Sequence, residues 1–205
     1  MSGGHYVHWG DIREGHKIMW WGSKKNNAAR AVWAGVLAPT GDCISSFKSR
    51  YGVVLEALAR AKGQWVINHS ISHPDLRPLC CAQSGKQLGG TGVHTNFGRP
   101  PYGAIDGSVS CGYNSRGMAI WTWSRDTKDW ETKSKSITVS RASAAVCGDT
   151  VLMHMQGQGF APDSLRQIKA NLGKRGIGLC RAYRGSDGTG AVLRTPVRLP
   201  GSLPC

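Results

Sequence analysis

Acidic side chains are scarce in this chain: 12 Asp and Glu stand against 26 Lys and Arg in 205 residues, a formal charge of +14 at pH 7. The carboxylates are too few and too scattered to nominate a catalytic pair. No apolar run reaches the length that a membrane-spanning helix needs, which excludes such a span. The opening MSGGHYVHWGDIREGHK has no apolar core after a basic start and does not read as a secretory leader, so the expectation is a cytoplasmic protein by default, or one exported by a non-standard route. CxxC, HExxH, P-loop, GxGxxG and Ser-centred elbow patterns are all missing, and with them the usual marks of redox dithiols, zincins, nucleotide binders and serine hydrolases. There is no internal repeat and no low-complexity segment. Disorder is excluded as well, since 40% of the residues are hydrophobic and eight are Trp.

The most regular stretch runs from Asp42 to Lys62. Ile44, Phe47, Tyr51, Leu55 and Leu58 step by three and four, the stripe of a helix with one buried face. Asp42 takes the N-cap slot in this reading. The plainer form is one helix that tolerates Gly52 and packs on a sheet. Breaking it at Gly52-Val53 gives two helices which, with an earlier one in NNAARAVWAGVLA, have the order of a helix-turn-helix.

Elsewhere the pattern is mostly β. His5 to Trp9, Lys17 to Trp21 and QWVINHS read as short strands. Residues 71–101 read as irregular, a length that signals a functional loop or a misassigned element. From Tyr102 onward, alternation at Val109, Cys111 and Tyr113 and around Trp121 and Trp123 predicts strands. Further strands are expected at 136–140, 144–147, 150–155, 176–183 and 190–199. The resulting class is α+β: helices at about 27–37 and 44–62 packed on a mostly antiparallel sheet built largely from residues 102–199, with one more helix at about 163–173. A single domain over 1–205 is expected. Gly89 to Gly107 is the one plausible linker, which would divide it into a helical part, 1–88, and a β-rich part, 102–205.

Two chemistries follow from the side chains. Seven cysteines, at 43, 80, 81, 111, 147, 180 and 205, leave at least one unpaired in a monomer, and Cys205 is the candidate for an intermolecular bridge that would build an oligomer or larger assembly. No cofactor motif is present. The one metal candidate is a structural zinc at His69, His73, Cys80 and Cys81, although their spacing matches no finger pattern and Pro74 disfavours a single helix carrying both imidazoles. Cys43, opening the central helix, has a dipole-stabilised thiolate in this reading. The layout resembles the papain-like plan: a Cys at a helix start, then strands bringing His154 or, in reserve, His94 as base, with Asp149 or Asn96 behind the imidazole. That resemblance implies a cysteine hydrolase, of a delivered-toxin or wall-amidase type.

The reading placed first is non-catalytic and rests on charge. A folded basic protein of this kind suits a polyanionic partner, nucleic acid foremost, as a structural component of a nucleoprotein or virus-like assembly. Lys24, Lys25, Arg60 and Lys62 form one expected phosphate surface, with Trp20 and Trp21 stacking on bases. Arg166, Lys169, Lys174 and Arg175 form a second.

Overall fold

The structure, a computed structural model, describes residues 2–6, 35–52, 54–61, 65–146, 149–154, 159 and 161–177. Its strands are short: β1 Ser2–Tyr6, β2 Gly35–Leu37, β3 Trp65–Val66, β4 Phe97–Gly98, β5 Ala119–Ile120, β6 Arg125–Asp126 and β7 Thr150–His154. Helices α1 (Gly41–Tyr51) and α2 (Leu55–Ala61) link β2 to β3, α3 (Cys81–Gly89) links β3 to β4, and α4 (Gly107–Asn114) links β4 to β5. Between β6 and β7 lie α5 (Asp129–Thr132) and α6 (Lys135–Ser143), and α7 (Pro162–Lys174) follows β7.

Such alternation of strand and helix dictates a parallel sheet, because a parallel neighbour is reached only by crossing over. Five strands pair in the order β3-β2-β1-β7-β6, and β4 pairs with β5. Every one of these pairings is parallel. A parallel bridge from Asn68 to Gly98 joins the two sets just past β3. The antiparallel α+β expectation is therefore corrected to a parallel α/β arrangement.

Alternating side chains from these strands build two clusters. Leu37, Val66, Val151 and Met153 pack with Phe47, Leu55, Val139, Leu165, Ile168 and Leu172 of the covering helices. On the other face Val36, Trp65, Ile67 and Leu152 meet Phe97, Trp121 and Trp123. A third cluster, holding Leu88, Val109 and Tyr113, sits between α3 and α4, which a Cys81–Cys111 disulfide also ties together.

Several predicted elements change type. Gly35–Leu37 is a strand and not the end of a helix at 27–37, whose earlier residues lie outside the described ones. The alternating 108–113 and the segment 136–140 are helical, in α4 and α6, with Asp106 and Ser134 as side-chain caps. The Asp42 to Lys62 run is broken. Thr40, two positions earlier than the expected cap Asp42, accepts from the Cys43 N–H at 3.2 Å. Gly52 ends α1 at φ +65°, a conformation glycine takes without penalty. The expected helix at 163–173 and strand at 150–155 are present as α7 and β7. The strands expected at 176–183 and 190–199 fall outside the described residues, apart from Gly176 and Ile177, which are not in a strand.

Candidate active site at the carboxyl edge of the sheet

In a parallel sheet the carboxyl ends of all strands open on one edge, and the loops leaving them converge there. Among the described residues, three such loops carry reactive groups. Four of the five non-glycine residues with positive φ among the described residues, Ser70, His73, Tyr102 and Lys128, also lie on them. Each such residue costs about 1–3 kcal/mol and persists only where its surroundings fix it.

The loop after β3 delivers His69 and His73. Their rings meet edge to face with centroids 4.8 Å apart, and His73 meets Tyr102 in the same way at 4.7 Å. Nδ1 of His69 lies 2.6 Å from the carbonyl oxygen of Arg99. A carbonyl can only accept, so Nδ1 carries the proton and Nε2 keeps its lone pair. Nε2 of both rings is buried. An imidazole oriented through Nδ1 by a backbone carbonyl is the usual form of a metal-ligating histidine. The pair fits a divalent metal as two of its protein ligands. Among the described residues no third His, Cys, Asp or Glu completes a set.

The cysteine half of the expected zinc site fails. Cys81 is committed to the disulfide with Cys111, and Cys80 is an exposed thiol at the start of α3.

The loop after β4 carries Arg99, buried, with its guanidinium 5.8 Å from the centre of the Trp123 ring. It continues through Pro100 and Pro101 to Tyr102, which is 68% exposed.

The third set joins the end of β7 to the loop after β6. Asp129 is buried, and its Oδ1 accepts from His154 Nδ1 at 2.7 Å and from the Trp130 N–H at 3.0 Å. Its Oδ2 accepts from the His154 backbone N–H at 2.5 Å. Thr127 Oγ1, donating to the Leu152 carbonyl at 2.8 Å, staples this loop to β7. A carboxylate so occupied holds one imidazole tautomer, with the proton on Nδ1. Trp130, 47% exposed, projects beside it.

Of the five residues expected to make a cysteine hydrolase, only His154 sits in a reactive setting. Cys43 is fully buried among Leu37, Phe47 and Met153, and its N–H is spent on Thr40, so it offers neither an accessible sulfur nor an oxyanion donor. His94 is exposed on a turn, where its carbonyl accepts from Arg60. Asp149 lies at the opposite end of β7 from His154, roughly 16 Å away for five extended residues. It holds Ser124 and Arg125 there, at 2.8 and 3.0 Å. Asn96 is engaged through its carbonyl by the Ala119 N–H, an ordinary strand contact.

Of the residues expected to form phosphate surfaces, several of those described are engaged within the fold. Arg60 is fully buried, paired with Glu56 at 2.9 Å. Arg166 pairs with Asp163, and Arg175 donates to the carbonyls of Ser143 and Ala145 at the end of α6. Lys169 and Lys174 are exposed on α7. Lys24, Lys25, Lys62, Trp20 and Trp21 lie outside the described residues. The two helices of the supposed helix-turn-helix are spent on the core by their apolar faces.

Asp129, the partner that matters to His154, was missed because SRDTKD reads as a turn between antiparallel strands. In a parallel sheet the last of these letters, Asp129, stands at the carboxyl edge, next to the MH that ends β7.

A parallel α/β molecule with histidines and a buried carboxylate gathered at that edge has the layout in which such folds place their binding and catalytic sites. Comparison with known proteins adds the following. No family model matches the sequence. Over 123 residues, 56% of this chain, it is 29% identical to the bifunctional xylanase/xylan deacetylase of Cellvibrio japonicus, of which that is 18%. Over 102 residues, 45% of this chain, it is 32% identical to the peptidoglycan-N-acetylmuramic acid deacetylase of Bacillus subtilis, of which that is 21%. The chain thus spans about a fifth of the length of these relatives.

Among solved structures it resembles a family 4 carbohydrate esterase of Streptomyces lividans, at a TM-score of 0.68 and 20% identity over 89% of this chain and 95% of that one. A CE4 family pseudoenzyme of Bacillus anthracis is similar at a TM-score of 0.69 and 20% identity, over 87% of this chain and 62% of that one. The fold is that of the CE4 carbohydrate esterases. The readings as a nucleic-acid-binding or RNA-binding structural protein, with nucleic acid as partner, and as a papain-like cysteine hydrolase are overturned. The relatives named above are polysaccharide deacetylases by description, and among the described residues Cys43 is fully buried and Arg60 is buried against Glu56. No helix among the described residues is long and apolar enough to cross a membrane.

Proposed function

We propose that the protein is a hydrolase that removes acetyl groups from an acetylated polysaccharide. The observation that carries this reading is the buried His154–Asp129 pair on the same sheet edge as the His69–His73 pair. The CE4 fold, which the pseudoenzyme shares, does not by itself imply turnover, so the reading rests on these side chains.

Deacetylation needs a proton delivered to the departing amine or alkoxide. His154 Nε2 serves as that acid, while Asp129 keeps the proton on Nδ1 and stabilises the ring when it is charged. A divalent metal held by His69 and His73 would polarise the acetyl carbonyl and activate water. Tyr102 and Trp130, exposed on separate loops of this edge, offer aromatic faces to sugar rings, and buried Arg99 adds positive potential. The Cys81–Cys111 disulfide suits an oxidising compartment, as an enzyme working on a wall or extracellular polymer requires.

The test is acetate release by the full chain, supplied with zinc, from acetylated xylan, chitooligosaccharide and peptidoglycan. His154→Ala and Asp129→Asn are expected to lower kcat by ~10²–10⁴ while the circular-dichroism spectrum is retained. Absence of acetate from all three substrates, or an unchanged rate in His154→Ala, overturns the reading.

A further inference from the structure

The His69–His73 loop is held from outside by one buried amide. Asn68 stands between β3 and the first of these histidines, and every polar atom of its side chain is engaged. Nδ2 donates to the Leu88 carbonyl at 2.8 Å and to Thr91 Oγ1 at 2.9 Å, and Oδ1 accepts from the Ser70 N–H at 3.0 Å. Its backbone lies between strands, donating to Phe97 O at 3.0 Å and accepting from Arg99 N at 2.8 Å.

The bond to Ser70 closes a turn in which Ser70 takes φ +64° and its Oγ accepts from His73 N, itself at φ +61°. Two further clamps act on the same turn. The first N–H groups of α1, from Gly41 and Asp42, donate to the carbonyls of Ser70 and Ile71 at 3.0 and 2.9 Å. A side chain at Gly41 would come within 3.2 Å of the Ile71 backbone, which is why the helix can approach so closely. From α3, Gln87 Oε1 accepts from the Ile71 and Ser72 N–H groups at 3.2 and 3.4 Å. The bonds that Asn68 and Gln87 make to this turn reach the backbone N–H groups of Ser70, Ile71 and Ser72, so each acts on the histidines through the backbone.

We infer that Asn68 is a positioning residue for the imidazole pair, with Gln87 assisting from α3, and that together they set the affinity of His69 and His73 for a divalent metal. Removing the amide frees the Ser70 and His73 backbone to relax toward ordinary φ, which swings His73 away from His69. The inference rests on the reading of these histidines as metal ligands.

Zinc chloride is the probe, titrated against a chromophoric chelator with wild type, Asn68→Ala, Gln87→Met and Asp149→Asn, and thermal unfolding is measured on each without metal. Asp149 lies at the far end of the sheet and controls for a general loss of stability. Asn68→Ala is expected to weaken zinc binding by about tenfold or more, as outer-shell substitutions do. Gln87→Met, at a half-buried position, is expected to weaken it less. Asp149→Asn is expected to unfold earlier with zinc affinity unchanged. Should Asn68→Ala not fold, Gln87→Met decides: unchanged affinity overturns the inference.

Wild type that binds zinc alongside an Asn68→Ala that binds equally well overturns the inference alone. The same holds if Asp149→Asn weakens zinc as much as Asn68→Ala. Wild type that binds no zinc overturns the metal reading and this inference with it.

Discussion

A single carboxylate shows how the sheet's amino edge is kept in order while its carboxyl edge is kept reactive. Asp149 accepts from the Val146 N–H, the Ser124 hydroxyl and the Arg125 guanidinium, and these bonds, in that order, hold its carboxyl at a pKa of about 2, below the usual carboxylate range. A carboxyl whose folded pKa is depressed adds stability at all pH above its unfolded value, and that stability is lost as pH falls toward the folded value. Asp149→Asn is therefore expected to unfold a few degrees below wild type at pH 7, on the order of 1 kcal/mol given that water reaches the carboxylate. The gap should close between about pH 4 and pH 2. Melting curves across that range check it, and a gap that stays constant with pH would mean that the charge contributes nothing. At this scale the sequence was partly legible. His154, His69 and His73 drew attention in the sequence because imidazoles are few, and the structure sets them on one edge of the sheet. Their true companions, Asp129 and Asn68, are common residue types whose value depends on a strand order that no local pattern reveals.

Among the elements, α3 and α4 form a layer of their own beside the sheet, and the disulfide that joins them spans a sequence separation of 30. Closing a loop of that size in the unfolded chain is worth ~3–4 kcal/mol in the chain-entropy model. Cys81→Ser with Cys111→Ser is accordingly expected to lower unfolding stability by about that amount. Denaturant melts of oxidised, reduced and doubly substituted protein test this, and coincident midpoints for all three would refute it.

The same layer explains the chief misreading. Val109, Cys111 and Tyr113 alternate with Ser108, Ser110 and Gly112 as strand residues do, yet they are helical. Gly112 lies against Ser84 of α3 so closely that a side chain there would clash at 2.5 Å, and close helix contact, not propensity, chose the residue. Strands of two residues, such as β3 and β4, are too short for any period to show. The helices with full amphipathic stripes, in 44–51 and 162–174, were legible because each has enough turns to display one.

For the molecule as a whole, the charge of +14 was the most conspicuous feature of the sequence and the poorest guide to function. Many of its described carriers hold structure: Arg60 pairs with Glu56, Arg116 donates to the Gly85 carbonyl at 2.7 Å, and Arg175 caps α6. What the fold does instead is bring two histidine sets, from loops far apart in the chain, to one edge of a parallel sheet, with β2 and β1 between the strands that carry them. If both sets serve one reaction, they must fail together. Groups that act as a unit are strongly non-additive in kcat, whereas independent sites multiply their losses. The double variant His73→Ala with His154→Ala is thus expected to lose little more acetate-releasing activity than the worse of its two parents. A double-mutant cycle on kcat, with each protein checked for folding, decides the matter: multiplied losses would separate the two histidine sets into independent roles, and a shared floor would make them one active site.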